Sequence, residues 1–313
     1  MKWNARFWRV GGGVFLSGLL ALATPTRSPV PGTLNYLEGQ ATVNGTLVNS
    51  SSIGNEVLQP GEVLGTQNGK VEMLLTPGVF LRLGENSEAR MVSNGLANVE
   101  IALDRGQATV EADWWTKDNR LTIDQTGART DILKKGLYVV NSGQPFAQVL
   151  DGKAKVTLDD QSVNVGKNHE AILNESGKLK AQDFNSKPVK ETALLRWSSL
   201  RSGYEAQANL DAARTVVVNN GWYGPGWYWG PSFGYWSFLP ADGFFYNPFG
   251  WGFYSPFYVY GGGPYVIGRP GFYGRGFYGS RGGAVFVGPR GGGFVGSARG
   301  FSGGGGFHGG GRR

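Results

Sequence analysis

Groups able to do acid–base or metal chemistry are scarce in this 313-residue chain, which has two histidines and no cysteine. His169 stands beside Glu170 at a strand start, and the two side chains have the chemistry of metal ligands. No further His or Cys completes a nitrogen or sulfur set around them, so the pair reads as a solvated turn. His308 lies in a glycine run without partners. Asp113 with Asp118, and Asp159 with Asp160, are carboxylate pairs of the kind that general acid–base catalysis uses. Both pairs read as turns, where Asp serves the backbone. Nothing has the spacing of a nucleophile elbow, a P-loop or a dinucleotide fingerprint. The expectation is a protein with no catalytic residue, no metal and no cofactor.

The residues that could bind are aromatic and basic. Trp114-Trp115 is the conspicuous ring pair of the N-terminal half, and neighbours on an extended chain point to opposite sides. One of the two is expected in the core and the other is a candidate docking site. After Val218 the composition changes: 28 of the 41 aromatic residues follow it. Trp222, Trp227, Trp229, Trp236 and Trp251 are the candidate docking rings of that tail. Further on, GRPGFYGRGFYGSRGG (268–283) has the form of Arg-Gly-aromatic segments that neutralise phosphate and stack on bases. Arg269, Arg275, Arg281 and Arg290 are candidate contacts to a polyanion.

The N-terminus bears on which polyanion. Lys2, Arg6 and Arg9 precede the uncharged run 11–23, which ends in Ala21-Leu22-Ala23, a small-x-small cleavage pattern. These are the three parts of a secretory signal peptide. The run is shorter than the roughly 20 residues that span a bilayer. Cleavage after Ala23 is therefore expected, and with export nucleic acid becomes an unlikely partner next to an envelope protein, a glycan or outer-membrane surface, or another copy of the chain. The net charge of +7 is uneven. From Gly221 onward seven Arg stand against Asp242 alone, so the basic character belongs to the tail.

These residues must be positioned by a β-rich body. Val71, Met73 and Leu75 alternate with Glu72, Leu74 and Thr76; Pro77-Gly78 turns the chain; Val79, Leu81 and Leu83 then alternate with Phe80 and Arg82. Period-two alternation about a Pro-Gly turn predicts two half-buried antiparallel strands. Asn44-Gly45 predicts a tight hairpin between 41–43 and 46–48. Further strands are expected over 99–110, 121–123, 137–140, 147–150, 154–158 and 162–165, a regular spacing that fits a sandwich, barrel or short solenoid. From Ser186, a plausible N-cap followed by Pro188, the period changes. Leu194, Trp197, Leu200 or Arg201, Tyr204 and Ala208 predict one amphipathic helix over 186–214. In the tail, a buried ring contributes about 5 kcal/mol at about 25 cal/mol/Å² over roughly 200 Å². Ordering costs about 1.5 kcal/mol per residue, so order requires about one buried ring in three or four residues. Residues 222–258 exceed that density and can order or dock, with their prolines favouring turns and extended pieces over a helix. The end of the chain falls below it and is expected to be disordered.

Three ordered motifs resemble the FecR domain. The apolar strand after Gly78 continues as Leu81-Arg82-Leu83-Gly84-Glu85-Asn86-Ser87; Lys135-Gly136-Leu137-Tyr138-Val139 follows; Val149-Leu150-Asp151-Gly152-Lys153-Ala154-Lys155-Val156 leads to Val165-Gly166-Lys167. The resemblance covers roughly 60–173 and departs from the family at Lys135-Gly136, where Gly-Thr is usual. It implies a periplasmic all-β module. Proteins of this family relay a signal from an outer-membrane iron-siderophore receptor through a cytoplasmic anti-sigma segment, for which the nine or so residues before the apolar run leave no room. The reading is an all-β, FecR-like sandwich or short solenoid, then one amphipathic helix and a low-complexity Gly/aromatic tail. Its segments are a signal peptide (1–23), the β domain (32–173), the helix (186–214), an aromatic segment (219–260) and a Gly/Arg-rich end (261–313). The expected role is non-enzymatic binding or scaffolding in the periplasm or at the outer surface, with the tail holding the protein to the envelope. The alternatives are a regulatory module that docks a protein partner, and a self-associating surface or matrix protein.

Overall fold

The apolar alternation of 71–83 sets the architecture. In the computed structural model, which describes residues 28–173, 178–218 and 223–262, one side of this hairpin (Val71, Met73, Val79, Leu81, Leu83) lies in the main apolar core. The chain contributes to two facing sheets, passing between them after every one to three strands. The strands before residue 120 are β1 (Leu34–Glu38), β2 (Ala41–Val43), β3 (Thr46–Val48), β4 (Val63–Thr66), β5 (Lys70–Leu74), β6 (Val79–Leu83), β7 (Glu88–Gly95), β8 (Asn98–Arg105) and β9 (Gln107–Ala112). After it come β10 (Leu121–Gln125), β11 (Ala128–Ile132), β12 (Gly136–Asn141), β13 (Phe146–Asp151), β14 (Lys153–Leu158), β15 (Gln161–Gly166), β16 (His169–Ile172) and β17 (Ala181–Asp183). The first sheet has the order β1-β5-β6-β9-β12-β13-β16-β17 and the second β15-β14-β11-β10-β8-β7-β4-β2-β3. Every pairing is antiparallel except β10 with β8. The result is an all-β sandwich with one long helix.

Several expectations are refined by the structure. The strand expected over 99–110 is two strands, because Gly106, at φ +80°, turns the chain between β8 and β9. The hairpin at Asn44-Gly45 is present, with φ of 50° and 80° as a type I′ turn requires. The helix is broken. α1 (Ser186–Lys190) is capped by the Asn185 side chain rather than by Ser186, and α2 (Ala193–Val218) begins after Thr192.

The largest departure concerns burial. The 71–83 hairpin is not half-buried: Glu72, Leu74, Phe80 and Arg82, on the side away from the core, are all 0% exposed. Sequence alternation assigns them to a solvent face, but α2 and the aromatic segment cover that face. Residues 226–260 fold into two hairpins, β18 (Gly226–Gly230) with β19 (Tyr235–Leu239) and β20 (Phe244–Tyr246) with β21 (Gly252–Tyr254), followed by α3 (Pro256–Tyr260). This strap includes a short helix despite its prolines, because Pro256 occupies the first turn, where no N–H is needed, and Ser255 caps it. The second sheet instead carries exposed ion pairs on its outer side, Arg90 with Asp104 and Arg129 with Glu100 among them.

Helix and strap meet closely. A methyl group added at Gly203, inside α2, would stand 2.8 Å from the Trp251 ring. On an open helix face Gly→Ala stabilises by about 1 kcal/mol. Here the expected sign is opposite: Gly203→Ala overpacks the contact and costs about 1–3 kcal/mol, read as a lower urea midpoint with altered tryptophan emission. Gly136→Ala is expected to be at least as damaging, since its methyl would stand 2.1 Å from the Asp151 carbonyl oxygen on the paired strand; a thermal melt reads it.

Candidate functional site

The covered side of the first sheet holds the densest polar chemistry of the described protein. Glu72 on β5 and Arg82 on β6 are direct cross-strand partners, and Arg82 Nε donates to Glu72 Oε2 at 2.7 Å. Arg82 Nη1 also donates to Glu111 Oε2 on β9. From α2, Arg201 Nη2 donates to Glu72 Oε1 at 2.8 Å and to Glu205 Oε1 at 2.6 Å. Its guanidinium lies 3.9 Å from the Tyr36 ring centre and 4.4 Å from that of Tyr235, an arrangement in which two ring faces replace water around the cation. All five charged side chains are at most 2% exposed.

Three asparagines fasten the strap over this cluster. The Asn35 side chain accepts from Trp236 N at 2.9 Å and donates to Trp236 O at 3.0 Å, as a neighbouring strand would. Asn209 on α2 does the same for Tyr254 and also donates to Phe238 O. Asn247, within the strap, donates to Glu111 Oε1 at 2.6 Å and accepts from Trp251 N at 2.8 Å. Ser202 Oγ adds a second donor to Glu111 Oε1.

Charge in this space is nearly balanced. Burial pushes the Glu72 carboxyl up, but attraction to Arg201 and Arg82 together with their hydrogen bonds outweighs it and holds the pKa at about 2. Glu205 goes the other way: burial and the negative charge of Glu72 raise its pKa well above the ordinary value despite Arg201. Its Oε2 has no hydrogen-bond partner. Asp113 is likewise raised, by burial and by Glu111. Two guanidinium groups thus share this space with four acids, and two of those, Glu205 and Asp113, have their carboxyls pushed up.

The candidates from sequence fall differently from expectation. Asp113 is not in a solvated turn. It sits just past β9, 3% exposed, with neither carboxylate oxygen hydrogen-bonded. It lines a cavity of about 60 Å³ together with Lys135, Asp151, Tyr246 and Asn247, room for about two waters. Asp118 is exposed and apart from it, and Asp159 forms a surface turn at φ +50°. His169 opens β16 and pairs with Asp183 at 3.2 Å. Among the described residues no group of three His, Cys, Asp or Glu is placed to hold a metal ion.

Trp115 packs against the main core, and Trp114 meets Phe238 and Phe245 of the strap with ring centres 5.8 and 6.5 Å apart. Trp227, Trp229 and Trp236 pack on Leu74 and Phe80, and Trp251 packs beside Leu195 and Phe249. These four tail tryptophans are turned toward the fold. Trp222, Arg269, Arg275, Arg281 and Arg290 lie outside the described residues, as do the signal segment 1–23 and nearly all of 261–313. Within the strap the outward rings are Phe244, Tyr246, Phe257 and Tyr260, none of them singled out by sequence; Tyr204 and Tyr223 are exposed as well. The ionic cluster was missed too, although one signal existed: Glu72 and Arg82 stand five residues either side of Pro77 in an otherwise apolar hairpin.

No family model matches the chain, and no curated protein does. Among solved structures, two crystal structures of a protein provisionally assigned as an anti-sigma factor from Parabacteroides distasonis, at 2.50 and 1.65 Å resolution, are similar. Each has 14% identity and a TM-score of 0.37 over 44% of this chain. The chain covers 64% of each, less than two thirds of their length.

Two predictions test the cluster. Arg201→Leu leaves Glu72 and Glu205 without their shared cation and is expected to cost about 3–5 kcal/mol, read by urea unfolding. The pH profile has opposing limbs. Glu72 contributes stability that is complete above its ordinary value of 4.5 and is lost as pH falls toward about 2. Asp113 and Glu205 hold protons in the fold that the unfolded chain has released, so their contribution falls as pH rises above about 4. Unfolding free energy is therefore expected to peak in mild acid, and Glu205→Gln to flatten the decline on the alkaline side.

Proposed function

We propose that this protein is an exported, non-enzymatic binding module of the cell envelope, held at a surface by its C-terminal region. The observation that carries the reading is the division of its side chains. The carboxylates and guanidinium groups that could do chemistry are closed beneath α2 and the strap and neutralise one another, whereas rings at the end of the strap stay outside. A catalytic group must reach substrate, and Glu72, Arg82, Glu111, Arg201 and Glu205 are at most 2% exposed and reach groups inside the fold. The signal-like N-terminus and the Arg-rich end support export and surface attachment. No described helix is long and apolar enough to cross a membrane.

A second reading, docking of a protein partner as the FecR resemblance implies, is favoured by one feature. β3 ends the second sheet and is bonded along one side only, to β2, with Leu47 65% exposed. Such an edge can accept an added strand.

Cell fractionation with N-terminal sequencing tests the main reading. The full chain is expected in the envelope fraction with Thr24 as its first residue, and a form stopped after Gly262 in the soluble periplasmic fraction. A full chain found soluble in the cytosol with Met1 intact would remove the proposal. Stopping after Arg214 is uninformative about attachment, because it strips the strap from the ionic cluster; that form is expected to be degraded or insoluble.

A further inference from the structure

Four strands stand at the ends of the two sheets, and they differ in what they offer a further strand. β3 and β17 are three residues long, and β1 is irregular at Asn35, where it bonds the strap. β15 is six residues long, Gln161-Ser162-Val163-Asn164-Val165-Gly166, and it pairs with β14 without a register shift. It contains no charge and no proline. Shortness, irregularity, charge and proline are the devices by which edge strands avoid pairing with another chain, and β15 has none of them.

Its free side carries bonding groups. Asp159-Asp160 is a two-residue turn, with Asp159 at φ +50°, so Leu158 and Gln161 form its closing hydrogen-bonded pair. Bonded and non-bonded pairs alternate along an antiparallel ladder, so Ser162 and Asn164 direct their N–H and C=O groups away from β14. Among the described residues no backbone group bonds that side. Leu179 N donates to the Gln161 side chain at 2.9 Å, at the turn end of the strand. The Ser162 and Asn164 side chains are exposed, whereas Val163 and Val165 belong with the main core.

The charges at its two ends indicate the occupant. In a two-fold pair each contact is made twice. An axis through the edge keeps the inner faces of both sheets on one side, so a residue faces either its own counterpart or one an even number of positions away. With Val163 opposite Val163 of the second copy, Ser162 faces Asn164 in two hydrogen-bonded pairs, and the acidic turn Asp159-Asp160 meets Lys167 at each end. With Asn164 opposite its counterpart, Lys167 meets the neutral Gln161 instead. Lys167 pairs with Asp151 at 3.0 Å, and its side chain, 64% exposed, is open to a second carboxylate. Charge complementarity therefore selects the first register.

We propose that β15 is a homodimer interface, pairing antiparallel with β15 of a second copy, Val163 opposite Val163, and joining the two nine-stranded sheets into one. This goes beyond the envelope reading and does not depend on it.

Sedimentation velocity over about a hundredfold range of concentration tests it, on the form beginning at Thr24 so that residues 11–23 take no part. A monomer–dimer equilibrium is expected. Ser162→Lys/Asn164→Lys sets like charges opposite each other in both central pairs and is expected to weaken the dimer about tenfold or more. Mixing it with Ser162→Glu/Asn164→Glu is expected to restore the affinity that both have lost. The chain has no cysteine, so Val163→Cys supplies a single thiol. In this register it faces its counterpart at the Cα separation of a non-hydrogen-bonded pair, about 4.5 Å, within reach of a disulfide. Oxidation is expected to link Val163→Cys into a dimer and to leave Ser162→Cys and Asn164→Cys largely unlinked. If the charge variants melt early, the cysteine series decides alone. A chain that stays monomeric at every concentration overturns the proposal. So does association untouched by the lysine pair, or linkage at 162 or 164 in place of 163.

Discussion

Charges on the outer side of a β-sheet usually cost a protein nothing, because water solvates them. Here Glu72, Arg82 and Glu111 occupy that side but are shut away from solvent, and each would carry a penalty of several kcal/mol if left unpaired there. The rest of the structure depends on meeting that constraint. Arg201 arrives from α2 to pair with Glu72, and Glu205 from the same helix accepts from its guanidinium. The three asparagines satisfy backbone groups of the strap that no sheet edge could reach. The raised carboxyls of Glu205 and Asp113 limit the negative charge enclosed there. Helix and strap are thus required by the sheet as much as they are supported by it.

The same constraint explains the aromatic richness of 226–260. A strap of hairpins has little backbone pairing of its own and must gain stability from side-chain burial to offset ordering. Trp227, Trp229 and Trp236 do this on Leu74 and Phe80, and Phe249 and Trp251 on the apolar patch around Leu137 and Val139. Rings also exclude water from the ion pairs, which strengthens them. Glycines let rings and backbones approach: Gly203 leaves room for the Trp251 ring, and Gly230 lies against Ala208. A composition that resembles a low-complexity spacer is, for this stretch, a cover with a specific seat.

Burial also divides the two sheets by role. The second sheet meets water through ion pairs between exposed residues such as Arg90 and Asp104, which contribute little to stability but keep that surface polar. The first sheet has no such surface along its central strands. The strap leaves Phe244, Tyr246, Phe257 and Tyr260 exposed on its own outer side.

By itself the sequence determined whatever depends on near neighbours. Alternation about Pro77-Gly78, the Asn44-Gly45 turn and the spacing of glycines specify strands and turns, because side-chain direction repeats every two residues and positive φ favours Gly and Asn. Ring density in 222–258 was enough to indicate that the segment can order. Only the tertiary structure decided which side of the first sheet is solvent. Alternation distinguishes two faces but does not say that a helix 120 residues later will cover the polar one, and so Glu72 and Arg82 read as exposed, Asp113 as a turn residue and the tail tryptophans as free docking rings. The exception lies in the symmetry of Glu72 and Arg82 about their turn, which encodes a cross-strand ion pair locally. Its burial, and its completion by Arg201, required contacts between residues far apart in the chain, where loop closure and packing, not local propensity, set the outcome.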